Sequence, residues 1–184
     1  MRLGRDFYCQ PTLSVARQLL GKTLVSKTSV GVLEGEINEV ESYIGEDDLA
    51  SHARVGKTHR TQVMYYEGGY SYVYLIYGMY YCFNVVTERT DYPSAILIRS
   101  IIPTKGIILM HRNRKVISSE VSHLTNGPGK LCQALGITKE QNAIDLTTSK
   151  TLYIEDRGKE ISTFQSTPRI GISQATEKRW RFVY

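Results

Sequence analysis

Glu39 and Glu41 stand two residues apart in Leu33-Glu-Gly-Glu-Ile37-Asn-Glu39-Val-Glu41-Ser-Tyr43, whose alternation reads as a strand. Leu33, Ile37 and Tyr43 hold odd positions, which suits a core-facing row. Glu34, Glu36, Asn38 and Ser42 hold even ones, which suits a solvated face. Glu39 and Glu41 therefore fall in the core-facing row, where a carboxylate is costly unless it is paired or used. Pairing with an arginine such as Arg99, mid-strand in Ile96-Leu97-Ile98-Arg99-Ser100-Ile101, is one reading; for Glu39 it stands level with function. Glu41 lies nearer the strand end and the polar loop beyond, and a desolvated carboxylate at a cleft is a candidate general base. Arg99 is equally a structural partner or a group shared between carboxylate and substrate. His52 follows the acidic loop closely enough to return beside Tyr43, although a lone histidine is more often structural. His59, His111 and His123 show no ligand spacing, and no metal is expected.

Eight of the thirteen tyrosines fall between Tyr65 and Tyr81. Tyr70, Tyr72 and Tyr74 alternate as on a strand, and Gly78 can take the positive φ of a tight turn, so 70–87 reads as a hairpin. Tyr77 would stand at its tip. A tyrosine-rich sheet is the plain explanation, since tyrosine favours strands. The sharper one is a wedge and stacking platform for nucleic acid, because aromatic faces stack on bases. Asn126-Gly127-Pro128-Gly129-Lys130 precedes a second candidate helix, where exposed N–H groups and Lys130 suit an anion; a plain Gly-Pro turn explains it too.

These residues need a scaffold, and 184 of them suffice for one domain burying roughly two-thirds of its unfolded surface. A helix opened by Pro11 and Thr12 carries Leu13, Ala16, Leu19 and Leu20, and Gly21 stops it. Strands are expected at 23–27, 32–43 and 95–101, with a helical turn at 47–53. Thr104 is a candidate cap for a helix with Ile107, Ile108 and Met110, and Pro128 starts another that ends at Gly136. Strands at 151–155, 169–172 and 180–184 complete an α+β pattern.

The net charge is +5 and the distribution is uneven. Acidic residues gather in 34–48, while cations gather in 54–60, 112–115 and 178–181. Basic surface around a carboxylate-bearing centre suits an enzyme that holds a polyanion. No apolar run approaches the ~20 residues of a membrane span. Met1-Arg2-Leu3-Gly4-Arg5-Asp6 has no apolar signal core. Cys9, Cys82 and Cys132 are odd in number and unpaired in motif, so reduced thiols of an intracellular protein are expected.

Taken in order, Glu39-Val-Glu41-Ser-Tyr43-Ile-Gly45, Ala50-Ser-His52, Tyr72-Val-Tyr74-Leu-Ile-Tyr77-Gly78-Met79-Tyr80-Tyr81-Cys82-Phe83-Asn84, Leu97-Ile98-Arg99, Gly127-Pro128-Gly129-Lys130-Leu131-Cys132-Gln133-Ala134-Leu135 and Pro168-Arg169-Ile170-Gly171-Ile172 resemble the alkyladenine (3-methyladenine) DNA glycosylase family. The resemblance runs from about Leu3 to Phe182.

It implies a single α+β domain over 1–184, with a curved antiparallel sheet, flanking helices and a protruding Tyr-tipped hairpin. It also implies that an alkylated or deaminated purine is flipped out of double-stranded DNA and its N-glycosidic bond hydrolysed, without a cofactor or metal. Glu41 matches the carboxylate that activates water, and Arg99 and the Ile170 carbonyl match groups that hold that water. Tyr43, His52 and Tyr74 match the base pocket, and Asn84 matches a residue that disfavours guanine. Tyr77 matches the filler of the vacated stack, with Met79, Tyr80, Lys130 and Gly171 matching further DNA-proximal positions. Lys57 and Thr58 also match DNA contacts, in a loop one residue shorter than in some relatives. No lysine matches a family nucleophile, so hydrolysis without strand cleavage is expected. A monomer is expected, in a prokaryotic cytoplasm with the nucleoid, or in the nucleus of a eukaryote. A non-catalytic damaged-DNA or RNA binding module is the rival reading, and Glu41 discriminates, since a binder needs no such carboxylate. A hydrolase of small nucleosides leaves the hairpin and basic loops unexplained.

Overall fold

Pro11 and Thr12 open a helix as expected. The computed structural model describes residues 1–116 and 120–184. Its first helices are α1 (Arg5–Tyr8) and α2 (Thr12–Leu19). In α2 the buried positions are Thr12, Val15, Ala16 and Leu19, a single stripe at helical spacing. Glu88 Oε1 accepts from the Thr12 N–H at 2.6 Å and from its hydroxyl at 2.9 Å, so a carboxylate sits where the helix dipole favours one. Leu20 is already extended, with ψ 132°, so the helix ends before it.

The strands are β1 (Thr23–Thr28), β2 (Gly31–Ile44), β3 (Ser71–Ile76), β4 (Tyr80–Val86), β5 (Ser94–Lys105), β6 (Leu152–Glu155), β7 (Gln165–Thr167) and β8 (Arg181–Val183). They form a curved antiparallel sheet in the order β3-β4-β5-β2-β1-β6, with β8 added to β2 and β7 to β8. Helices α3 (Ile107–Arg114) and α4 (Pro128–Leu135) pack with α2 on one face. Leu131, Cys132, Ala134 and Leu135 of α4 meet Phe83, Val85, Ile96 and Ile98 there. Each fully buried aliphatic side chain of this kind stabilises the fold by about 1.5–3 kcal/mol.

Three expectations change. Strand β5 runs past Ile101 because its pairing with β2 continues, Gly35 with Pro103 and Glu34 with Lys105. Thr104 is therefore a strand residue, and Gly106 (φ 78°) starts α3 instead. A Cβ at Gly106 would lie 2.6 Å from the Val32 carbonyl oxygen, so only glycine fits that turn. The helical turn expected at 47–53 is a 3-10 turn at His52–Val55, with the Ser51 hydroxyl accepting from the Ala53 N–H. Residues 169–172 are irregular; the strand of that region is β7.

The parity of β2 also changes. Ile37 and Val40, three residues apart, are both fully buried in the helix-facing core, as are their partners Ile101 and Ile98. The register shifts on both sides of Glu39, so the two strands kink together and exchange faces. Even positions beyond the kink turn toward the core, and Ser42, expected in solvent, is fully buried. Glu39 and Glu41 therefore do not share the row of Leu33 and Ile37. Glu34, also expected in solvent, is buried against Lys105 and Arg157.

Candidate active site

Beyond the kink Glu41, Tyr43, Leu97 and Arg99 share the sheet face opposite the helices. Glu41 has no solvent exposure, and three donors hold its carboxylate. Tyr43 Oη donates to Oε2 at 2.9 Å and Arg99 Nη1 donates to the same oxygen at 3.2 Å. The Ile170 N–H donates to Oε1 at 2.7 Å. A carboxylate accepts at about four lone-pair sites, so one site remains, on Oε1. Burial and the Glu41 charge push the Tyr43 hydroxyl far above its ordinary pKa, so it stays a donor. Arg99 turns its Nε the other way, 2.8 Å from Glu39 Oε1, which also receives Arg181 Nε at 2.6 Å. Arginine pairing thus holds for both glutamates, and it accounts for Glu39 completely.

All three donors to Glu41 line a cavity of about 400 Å³. That lies within the ~300–1,000 Å³ of small-molecule sites. Its other walls include His52, Tyr74 and Asn84, so the structure brings the expected base-pocket residues together. Asn84 is buried, and its Nδ2 donates to the Tyr72 carbonyl at 3.0 Å, which fixes the amide. The contact from Ile170 to Glu41 is its N–H.

His52 lies edge-on to Tyr74, with ring centroids 4.5 Å apart. Arg60 Nη2 is 3.3 Å from His52 Nε2, and arginine can only donate, so Nε2 accepts. Nδ1 then carries the proton and donates to Tyr72 Oη at 3.0 Å. Burial, with the Arg60 charge, lowers the His52 pKa from 6.5 to about 4, so the ring is neutral at pH 7. A lowered histidine pKa means that the unfolded chain takes up the proton first. Stability from neutral His52 is therefore present above pH 6.5 and lost as pH falls toward 4. The gap in Tm between the parent and a His52→Gln variant should narrow across that window; a constant gap would mean that His52 titrates normally.

The hairpin turns at Tyr77 and Gly78, both with positive φ (52° and 68°), and the Met79 N–H closes the turn on the Ile76 carbonyl at 3.2 Å. Tyr77 is 81% exposed and Met79 64% exposed. Tyr77 and Tyr80 line the cavity mouth together with Pro128 and Gly129. A Cβ on Gly129 would lie 3.0 Å from Tyr80, so this glycine lets the hairpin close on the start of α4. Lys130 points away to Asn126 Oδ1 at 2.8 Å. Lys57 is half exposed, 3.6 Å from Asp91, while Thr58 and Gly171 face a second groove with Arg54 and Arg60. Met79, Lys57 and Lys130 do not line the main cavity.

A family model described as methylpurine-DNA glycosylase matches residues 6–184. The chain belongs to the methylpurine-DNA glycosylase family. It is thereby a DNA glycosylase, a hydrolase of DNA repair. It is 49% identical over 182 residues to a protein of Ehrlichia ruminantium (strain Welgevonden), covering 98% of this chain and 88% of that one. It is 46% identical over 194 residues to one of Clostridium perfringens (strain SM101 / Type A), covering 99% and 95%. A protein of Methanocella arvoryzae is 47% identical over 183 residues, covering 98% and 90%. All three carry the name "Putative 3-methyladenine DNA glycosylase".

In this glycosylase chain, sequence reasoning passed over Tyr72, Arg60, Asp48 and Arg169. Tyr72 and Arg60 fix the His52 tautomer, and Arg60 also stands 5.1 Å from the Tyr74 ring centroid. Tyr72 was visible as one of the alternating tyrosines, whereas nothing separated Arg60 from the other cations of its loop. Asp48 and Arg169 form an ion pair with no exposure on either side chain. Burial alone would raise the Asp48 carboxyl, but Arg169 and the Ile44 and Ala50 N–H groups outweigh it and hold it below the usual range. Among the described residues, no helix is long and apolar enough to cross a membrane.

Proposed function

We propose that this chain excises alkylated or deaminated purines from duplex DNA by flipping the damaged nucleotide into the aromatic cavity and hydrolysing its N-glycosidic bond. The observation that carries the reading is the buried Glu41 carboxylate, held by three groups that all line an aromatic cavity, with one acceptor site left open. A flipped purine enters past Tyr77 and lies against the electron-rich faces of Tyr43 and Tyr74, which suit a cationic base. A water between Arg99 and Ile170 meets the open site on Oε1. Glu41 takes a proton as the water oxygen bonds to C1′, and the C1′–N bond breaks with its electron pair leaving on the base. The product is a free purine and a DNA strand with an intact abasic sugar. Alkylation at a ring nitrogen makes the base a better leaving group, so one carboxylate base, typically worth ~10²–10⁴-fold, suffices with positioning.

The substrates are of the 3-methyladenine, 7-methylguanine, hypoxanthine and ethenoadenine class, and Asn84 disfavours guanine against its exocyclic amine. One chain holds every group of the site, so a monomer suffices. Among the described residues no lysine lines the cavity, which favours hydrolysis over Schiff-base chemistry. Duplexes each carrying one defined lesion should release the base and leave a strand that breaks only after heat and alkali. A DNA adduct trapped by borohydride would overturn the hydrolytic mechanism. Binding of every lesion with release of none would favour the non-catalytic reading.

A further inference from the structure

The Ile170 N–H that holds Glu41 Oε1 belongs to the irregular stretch between β7 and β8. From 162 to 180, Arg169 is the one buried residue. Ile170 is 49% exposed, and Gly171 (φ 75°) has no neighbour where a side chain would project. Between β7 and β8, Arg169 is the buried side chain. Its Nη1 donates to Asp48 Oδ2 at 2.6 Å and to the Ser42 carbonyl at 2.9 Å, and Nη2 donates to Asp48 Oδ1 at 2.8 Å. The guanidinium lies 4.7 Å from the Tyr43 ring centroid and 5.2 Å from that of Trp180.

These contacts close a circuit. Ser42 stands between Glu41 and Tyr43 in the chain, so Arg169 takes its position from the backbone that carries the carboxylate and from the ring that donates to Oε2. Its next residue then returns an N–H to Oε1. For stability alone an apolar anchor would serve as well or better, because burying an ion pair carries a desolvation cost of several kcal/mol. An apolar anchor lacks direction, however. The planar, bidentate Arg169–Asp48 pair fixes orientation, which an N–H aimed at one oxygen requires.

We infer that Arg169 and Asp48 are positioning residues for the reaction, setting the Glu41 carboxylate through the Ile170 N–H. The inference rests on the reading of Glu41 as the base. Arg169→Met should slow single-turnover excision by about 10²-fold, the scale of a small misplacement of a reacting group, while affinity for lesion DNA stays close to the parent's. Arg169→Lys keeps the cation without the fork and should recover part of the rate; it also supplies the comparison if Arg169→Met does not fold. The deciding measurement is the double variant. If Arg169 acts through Glu41, then Arg169→Met placed on Glu41→Gln should remove little further rate. Losses that multiply, a parental rate in a folded Arg169 variant, or a loss of affinity as large as the loss of rate would each overturn the inference. A Glu41→Gln single variant with parental excision would instead sink the base assignment, and this inference with it.

Discussion

Glu41→Gln should bind lesion-containing duplex as the parent does and excise the base at least about 10²-fold more slowly, the lower end of what a positioned general base supplies. Glutamine keeps the shape of the side chain and an oxygen for the Ile170 N–H; its amide then meets Arg99, which can only donate and keeps Glu39 as its acceptor. It cannot take a proton from water. Single-turnover rates with excess enzyme, alongside equilibrium binding to the same duplex, separate the two effects. Parental excision in this variant would move the role elsewhere. Glu39 is a poor heir, because its Oε1 is already taken by Arg99 and Arg181, of which only Arg99 lines the cavity, whereas all three donors to Glu41 do. The likeness of this chain to proteins named for 3-methyladenine makes that base the first lesion to use.

Tyr77→Ala should leave Tm almost unchanged and still lose affinity and excision on duplex lesion DNA. A side chain 81% exposed at a hairpin tip contributes little to folding, and surface substitutions usually fall within about ±0.5 kcal/mol. A core tyrosine would cost several times as much. Keeping a nucleotide out of the stack costs about a few kcal/mol, so losing the group that fills its place should slow excision by about tenfold or more. Non-specific binding rests on phosphate contacts and should keep both its strength and its salt slope. A fall in Tm as large as the fall in excision would put Tyr77 in the packing of the sheet.

The hairpin was legible because alternating tyrosines and Gly78 are local signals, and the strand ends fall close to those expected. Helix α4 was legible from Pro128 and Gly136 for the same reason. Glu41 stands out in the sequence on a premise that the fold overturns. It was placed in the row of Leu33 and Ile37, but the kink at Glu39 puts it on the other face, and nothing in Ile37-Asn-Glu-Val marks a kink that β5 must share. The burial of Arg169 was invisible because a lone arginine in a polar stretch reads as surface until Asp48, 121 residues away in sequence, is brought to it. Residues 169–172 read as a strand because Ile170 and Ile172 alternate, yet this backbone donates to a side chain and so has no ladder to join.

Across the kink, Val40 and Glu41 are consecutive residues that face opposite sides of one strand, as are Ile98 and Arg99 on the next. Val40 and Ile98 sit in a core packed without slack, and each is one peptide unit from a charged group of the site. The hydrocarbon side of the sheet is in effect the mounting plate of the carboxylate. Trimming a methyl group there should displace the Glu41 carboxylate along with the packing, so a loss of excision is expected beside any loss of Tm.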